Sequence, residues 1–145
     1  METRVNRAIN SRKKGYNCAQ AVLCAYSDLL GVEEEMLFAV AEGFGGGMGG
    51  LMGTCGAVTA MSMAVGLTNS CKDLTACATK PGTSRLVREL ATEFSGKNQS
   101  LICRELKGVD TGKPLQSCEG CIADAVRILG ERLFRKQLEG EGTCT

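Results

Sequence analysis

No segment of this 145-residue chain alternates apolar and polar residues in the manner of a half-buried strand; its apolar residues recur three and four apart. Two prolines in the whole chain leave helices almost uninterrupted. With no Trp, two Tyr and four Phe, the core must be built from Ala, Val, Leu, Ile, Met and Cys. The fold class expected is all-α, a single domain over 1–145 forming a bundle of about five or six helices. A Gly-rich loop should precede a central helix of small residues, and 140–145 should be a flexible tail.

The helices follow from caps and stripes. A charged first helix covers 3–13 and ends near Gly15. Asn17 is a good N-cap for a second, expected to run to about Leu30 with Gly31 as its stop. Its stripe is Cys18, Val22, Ala25 and Leu29, which turns Cys18 inward and leaves Cys24 on another face. Glu33, Glu34 and Glu35 suit the positive end of a third helix reaching about Glu42. After the run GFGGGMGGLMGTCG, a fourth helix should start near Cys55 and continue to about Leu67. Pro81-Gly82 punctuates, and Thr83 or Ser84 caps a helix through Phe94. A short turn is expected at Cys103 to Lys107. The last helix should begin at Cys118–Cys121 and continue to about Leu138, with Ile122, Val126, Leu129 and Leu133 as its stripe.

Function is bounded by sulfur. The chain holds nine cysteines and no histidine. Ser-His-Asp and Cys-His mechanisms are excluded in their ordinary form, as are mixed Cys/His zinc sites. Thiol–disulfide exchange, an all-thiolate metal site and inert buried thiols remain. The formal charge of +1 gives no overall field for nucleic acid or an anionic membrane. No run approaches the roughly 18 apolar residues of a membrane span, and Met1 to Gly15 does not read as a secretory signal. Cytoplasmic localisation is the expectation, and there many cysteines point to metal or redox chemistry rather than a disulfide framework.

Gly45, Gly47 and Gly50 satisfy GxGxxG as a string, but the segment before them reads as helix, so the dinucleotide context is missing. The same glycines can turn backbone N–H groups towards one point and admit a group close to the main chain. Cys55, ending the run at a helix start, is then the best-situated thiol, in a field expected to favour its thiolate. The plainer alternative is that these glycines only permit tight helix packing. Cys118-Glu119-Gly120-Cys121 is a CxxC whose sulfurs share a helix face, able to form a disulfide or chelate one metal. Cys24 reads as a small hydrophobe, Cys71 and Cys77 as pointing apart, and Cys144 as part of the tail. The cluster Arg12-Lys13-Lys14 lacks interleaved aromatics and reads as a solvated face. Met48, Met52, Met61 and Met63 read as packing.

Asn17-Cys18-Ala19-Gln20-Ala21-Val22, then Gly43-Phe44-Gly45-Gly46-Gly47-Met48-Gly49, CGAVTA from Cys55, Cys103-Arg104-Glu105-Leu106, and Cys121 before an Ala-rich helix together resemble one family. It is the redox-active family named for its C_GCAxxG_C_C cysteine pattern. The resemblance implies four signature cysteines, here Cys18, Cys55, Cys103 and Cys121, in a helical, cytoplasmic, prokaryotic redox protein. Extending it, those four thiols could ligate an iron–sulfur cluster, with zinc or no metal as alternatives, and Cys118 is an auxiliary thiol. Gly45, Gly46, Gly47, Gly49 and Gly56 would then border the bound group. Ala60 stands where the pattern has its last Gly. The partners implied are a redox protein or a small thiol or disulfide, with a homodimer also open and no nucleic acid or membrane insertion. A structural zinc domain with four cysteine ligands and a non-catalytic interaction module are the competing readings.

Overall fold

The computed structural model describes residues 1–141, and among them there is no strand. Helix α1 (Glu2–Lys13) is followed by α2 (Cys18–Cys24), α3 (Ser27–Leu30) and α4 (Glu34–Ala41). A 3-10 turn, Glu42–Phe44, leads into α5 (Gly45–Met48), whose Gly46 and Gly47 adopt left-handed backbone angles rather than helical ones. Then come α6 (Gly56–Asn69), α7 (Lys80–Asn98), α8 (Cys103–Leu106), α9 (Cys118–Arg132) and α10 (Arg135–Glu141). Gly140 and Glu141, expected in a tail, belong to α10; the rest of that expected tail, with Cys144, lies outside the described residues.

The all-α class holds, with more helices than five or six because two expected helices are broken and two four-residue helices, α5 and α8, form in the glycine run and at Cys103. The second divides at Ala25–Tyr26, where the Arg4 guanidinium donates a 2.9 Å hydrogen bond to the Ala25 carbonyl. The last divides at Leu133–Phe134, and Phe134 turns inward to stack on Tyr26, ring centroids 4.8 Å apart. Helix α7 is longer than expected at its start: Pro81 sits within the first turn, where its missing N–H costs nothing. Helix α6 is the central element, its Ala57, Ala60, Met61, Ala64 and Val65 buried between α2, α7 and α9. Small residues there let the helices approach closely. Ala60 is fully buried in this packing, so its extra methyl faces the core.

Arg4 ties the N-terminus to this core. It is 8 % exposed, grips both Asp28 oxygens at 2.7 and 2.8 Å, and lies over the Tyr26 ring at 5.1 Å. The Tyr26 hydroxyl donates to the Val126 carbonyl at 2.7 Å, joining α3's approach to α9. Because Asp28 is half exposed, Arg4→Ala should cost about 1–3 kcal/mol rather than the larger figure for a wholly buried pair, as measured by urea unfolding. The Arg4 hydrogen bond lowers the folded Asp28 carboxyl below its ordinary 3.8. Asp28's share of that stability is therefore in place above the ordinary value and is lost as pH falls through the depressed folded one.

No described helix is long and apolar enough to cross a membrane.

Candidate functional site

Four separated stretches of chain are brought to one place by backbone pairing and caps. At the start of α2, Asn17 Oδ1 accepts from the Gln20 N–H at 2.9 Å, and Gln20 Oε1 accepts from the Asn17 N–H at 2.9 Å. This capping box satisfies two N-terminal donors and sets Cys18 as the first helical residue. The same two side chains donate onward to Glu42 O and Phe38 O, fastening α2 to the segment before the glycine run.

The glycine run is stitched to the chain near Cys103. Cys55 N–H donates to Leu101 O at 2.7 Å, Cys103 N–H to Gly53 O at 3.0 Å, and Arg104 N–H to Leu51 O at 2.8 Å, around an isolated antiparallel bridge between Thr54 and Ile102. These pairs set Cys55, the N-cap of α6, beside Cys103, the first residue of α8. Helix α9 is capped by the Ser117 hydroxyl, which accepts from Gly120 N–H at 2.9 Å, and Cys118 and Cys121 occupy its first turn. Leu115 N–H donates to Leu106 O at 2.9 Å, holding the approach to α9 against α8.

The result is a cavity of about 150 Å³ whose walls include Cys18, Cys55, Cys103, Cys118 and Cys121. All four signature cysteines and the auxiliary one are therefore brought together. Cys55, Cys103 and Cys121 are only 3–6 % exposed, while Cys18 and Cys118 are half-buried and open to the cavity. The Cys55 thiol lies near both the Cys18 and the Cys121 thiols in this wall. Every described cysteine is a free thiol.

Expectation fails on the charge state of these sulfurs. The neighbouring Cys55 thiol, reinforced by burial, holds the Cys18 thiol far above its ordinary value, despite N–H groups of Gly46 and Ala19 that favour the thiolate. The Cys121 thiol, with burial, pushes Cys55 up to about 12, although Cys18 and the Ala57 N–H pull the other way. Burial raises Cys103 against the opposing charge of Lys107. The helix-start N–H groups do reach the sulfurs, but neighbouring thiols and lost hydration outweigh them.

Of the five glycines singled out, Gly46 lines the cavity. The others act through space. A methyl on Gly45 would run into the Asn17 side chain, one on Gly47 into Cys103, and one on Gly56 into the Cys18 sulfur. Gly49 closes the turn at φ +81° with nothing near its missing Cβ. The run is thus largely what lets two of the cysteines sit against the main chain.

Among the described residues, no three or more Cys, Asp or Glu side chains have the arrangement that holds a metal ion. Residues not expected at the site also line the cavity: Asn17, Gln116, Arg12 and Lys107. Arg12 read as part of a solvated basic face, yet it lines the same cavity as Lys107.

The remaining cysteines lie elsewhere. Cys24 is buried as a small hydrophobe, its thiol 3.8 Å from Glu34 O. Cys71 and Cys77 are exposed in the connection between α6 and α7. The Asp73 N–H and the Thr79 hydroxyl, 3.7 Å from the sulfur, lower the Cys71 thiol. At pH 7 iodoacetamide should therefore modify Cys71 well before Cys18, Cys55 or Cys103, a ranking that peptide mass mapping reads directly.

Neither curated proteins nor solved structures give a match to the chain. The sequence model of the family described as "Putative redox-active protein (C_GCAxxG_C_C)" matches residues 16–132, a stretch that takes in all four signature cysteines and every residue lining the cavity except Arg12 and Gly15, and the chain belongs to this family.

Proposed function

We propose that the protein carries out thiol–disulfide exchange at this cavity. The observation that carries the reading is the convergence of five thiols, Cys18, Cys55, Cys103, Cys118 and Cys121, on the wall of one opening, with Cys55 next to both Cys18 and Cys121. Neighbouring thiols need only a small movement to share a bond. Cys18, half-buried at the opening, is the entry sulfur. It attacks one sulfur of an incoming disulfide, that S–S bond breaks, and the departing thiolate takes up the proton lost by Cys18. Cys55 then attacks Cys18 in the mixed disulfide, and the second departing thiolate takes the proton of Cys55. Two protein thiols are oxidised to one disulfide and one external disulfide is reduced to two thiols. Cys121 can exchange onward with Cys55, moving the bond deeper.

Raised thiols make this site slow at neutral pH, because only the thiolate attacks. Single-turnover oxidation of the anaerobically purified, reduced protein by excess bis(2-hydroxyethyl) disulfide should accelerate roughly tenfold per pH unit between pH 7 and 10. Peptide mapping should place the new bond on Cys18–Cys55 or Cys55–Cys121. Stoichiometric iron or zinc held by these cysteines in the same preparation, or no disulfide among them at any pH, would overturn the reading. Iron would return the cluster alternative, and zinc without titratable thiols the structural one.

A further inference from the structure

The charge around the opening says which disulfides should enter. Arg12, from the end of α1, and Lys107, following α8, both line the cavity, on segments far apart in sequence. No acidic residue of the described chain lines it. Arg12 gives the Tyr16 carbonyl one long hydrogen bond of 3.4 Å, and Lys107 is exposed. Lys107 is near enough for its charge to act on the buried Cys103 thiol. The two longer helices that begin here, α6 and α9, add the positive ends of their dipoles to the same space. Asn17 and Gln116 supply neutral polar groups on the wall. With a net charge of +1 the chain has no global field, so this positive opening is a local construction.

Size narrows the choice further. About 150 Å³ fits the sulfur-bearing arm of a small molecule at Cys18, the half-buried entry sulfur. We infer that the substrate of the exchange reaction is a low-molecular-weight disulfide carrying carboxylates, with Arg12 and Lys107 binding the carboxylates while Cys18 meets the sulfur. This rests on the exchange reading of the same cavity. The chemistry is the one already balanced: the small disulfide leaves as two thiols and the protein keeps the S–S bond.

The test uses the full-length reduced protein with three probes: oxidised glutathione, which is anionic, bis(2-hydroxyethyl) disulfide, which is neutral, and cystamine, which is cationic. Oxidation of Cys18, Cys55 and Cys121 is followed by acid quench and peptide mapping, so that Cys71 and Cys77 do not contribute. Each rate is divided by that of dithiothreitol with the same probe, which removes the intrinsic reactivity of the disulfide. At low salt the normalised rate should favour the anionic probe over the cationic one by about tenfold or more, and the preference should shrink towards one at 0.5 M salt, on the order of a 4 Å screening length. Arg12→Gln and Lys107→Gln should each cut the preference severalfold, and the double variant should abolish it. Lys136→Gln removes the same charge near the far end of α9 and should leave the preference intact. Equal normalised rates for the three probes overturn the inference while leaving exchange standing; no oxidation of the three cysteines by any probe overturns the exchange reading itself.

Discussion

Cys55→Ser should eliminate disulfide formation among Cys18, Cys55 and Cys121, whereas Cys18→Ser and Cys121→Ser should each leave one pairing within this trio. The asymmetry follows from position. Cys55 neighbours both of the others, so each pairing within the trio that needs only a small movement includes it. Removing Cys18 leaves Cys55–Cys121, and removing Cys121 leaves Cys18–Cys55. Mild oxidation followed by non-reducing peptide mapping should show a drop of more than about tenfold for Cys55→Ser. The Cys121→Ser variant should hold the Cys18–Cys55 bond at near the parental yield. Cys18→Ser should be oxidised more slowly than Cys121→Ser, because its remaining pair is 3–6 % exposed and has lost the entry sulfur. Serine brings a hydroxyl into a space fitted to sulfur, so Cys55→Ala run in parallel separates lost chemistry from disturbed packing. A Cys18–Cys121 bond formed at the parental rate in either Cys55 variant would remove Cys55 from the centre of the scheme.

Why the sulfurs converge was only partly written in local sequence. The stripe of α2 turned Cys18 inward, the end of the glycine run singled out Cys55, and the family pattern named all four. The pairing of 51–55 with 101–104 was not legible, because it consists of backbone hydrogen bonds between irregular segments that no periodicity announces. The helix break at Tyr26 was hidden for a related reason: it depends on Arg4, 21 residues earlier, claiming the Ala25 carbonyl. The raised Cys55 thiol was not legible because a helix N-terminus is a local signal, whereas burial and the Cys121 thiol come from other parts of the chain. Arg12 and Lys107 show the same limit, since a basic residue in a charged stretch gains meaning only from what faces it across an opening. Helix class and core were local, and the site was long-range.

The glycines allow that distinction to be measured within a single helix. Gly56 and Gly66 both belong to α6, and both would be replaced by alanine at the level of one methyl group. At Gly66 that methyl meets nothing within 4 Å. Gly66→Ala should therefore stabilise the protein by about 0.5–1 kcal/mol, the ordinary gain in helix propensity and lost unfolded-state freedom. At Gly56 the methyl would strike the Cys18 sulfur, lie 2.9 Å from Phe44 O and 3.2 Å from Ala19 N. Two of those three neighbours are backbone and cannot swing aside, and the first residue of a helix gains little from propensity. Gly56→Ala should cost about 3 kcal/mol, the upper range of an overpacked core. It should also displace Cys18 from Cys55 and slow their oxidation. Adding Cys18→Ala removes the sulfur but leaves the Phe44 and Ala19 contacts, so the double variant should recover part of the lost stability and none of the exchange. Equal urea midpoints for Gly56→Ala and Gly66→Ala would mean that the glycine run does not hold Cys18 in place. A positive coupling energy between residues 18 and 56 would mean that the methyl excluded at Gly56 is excluded by the sulfur itself.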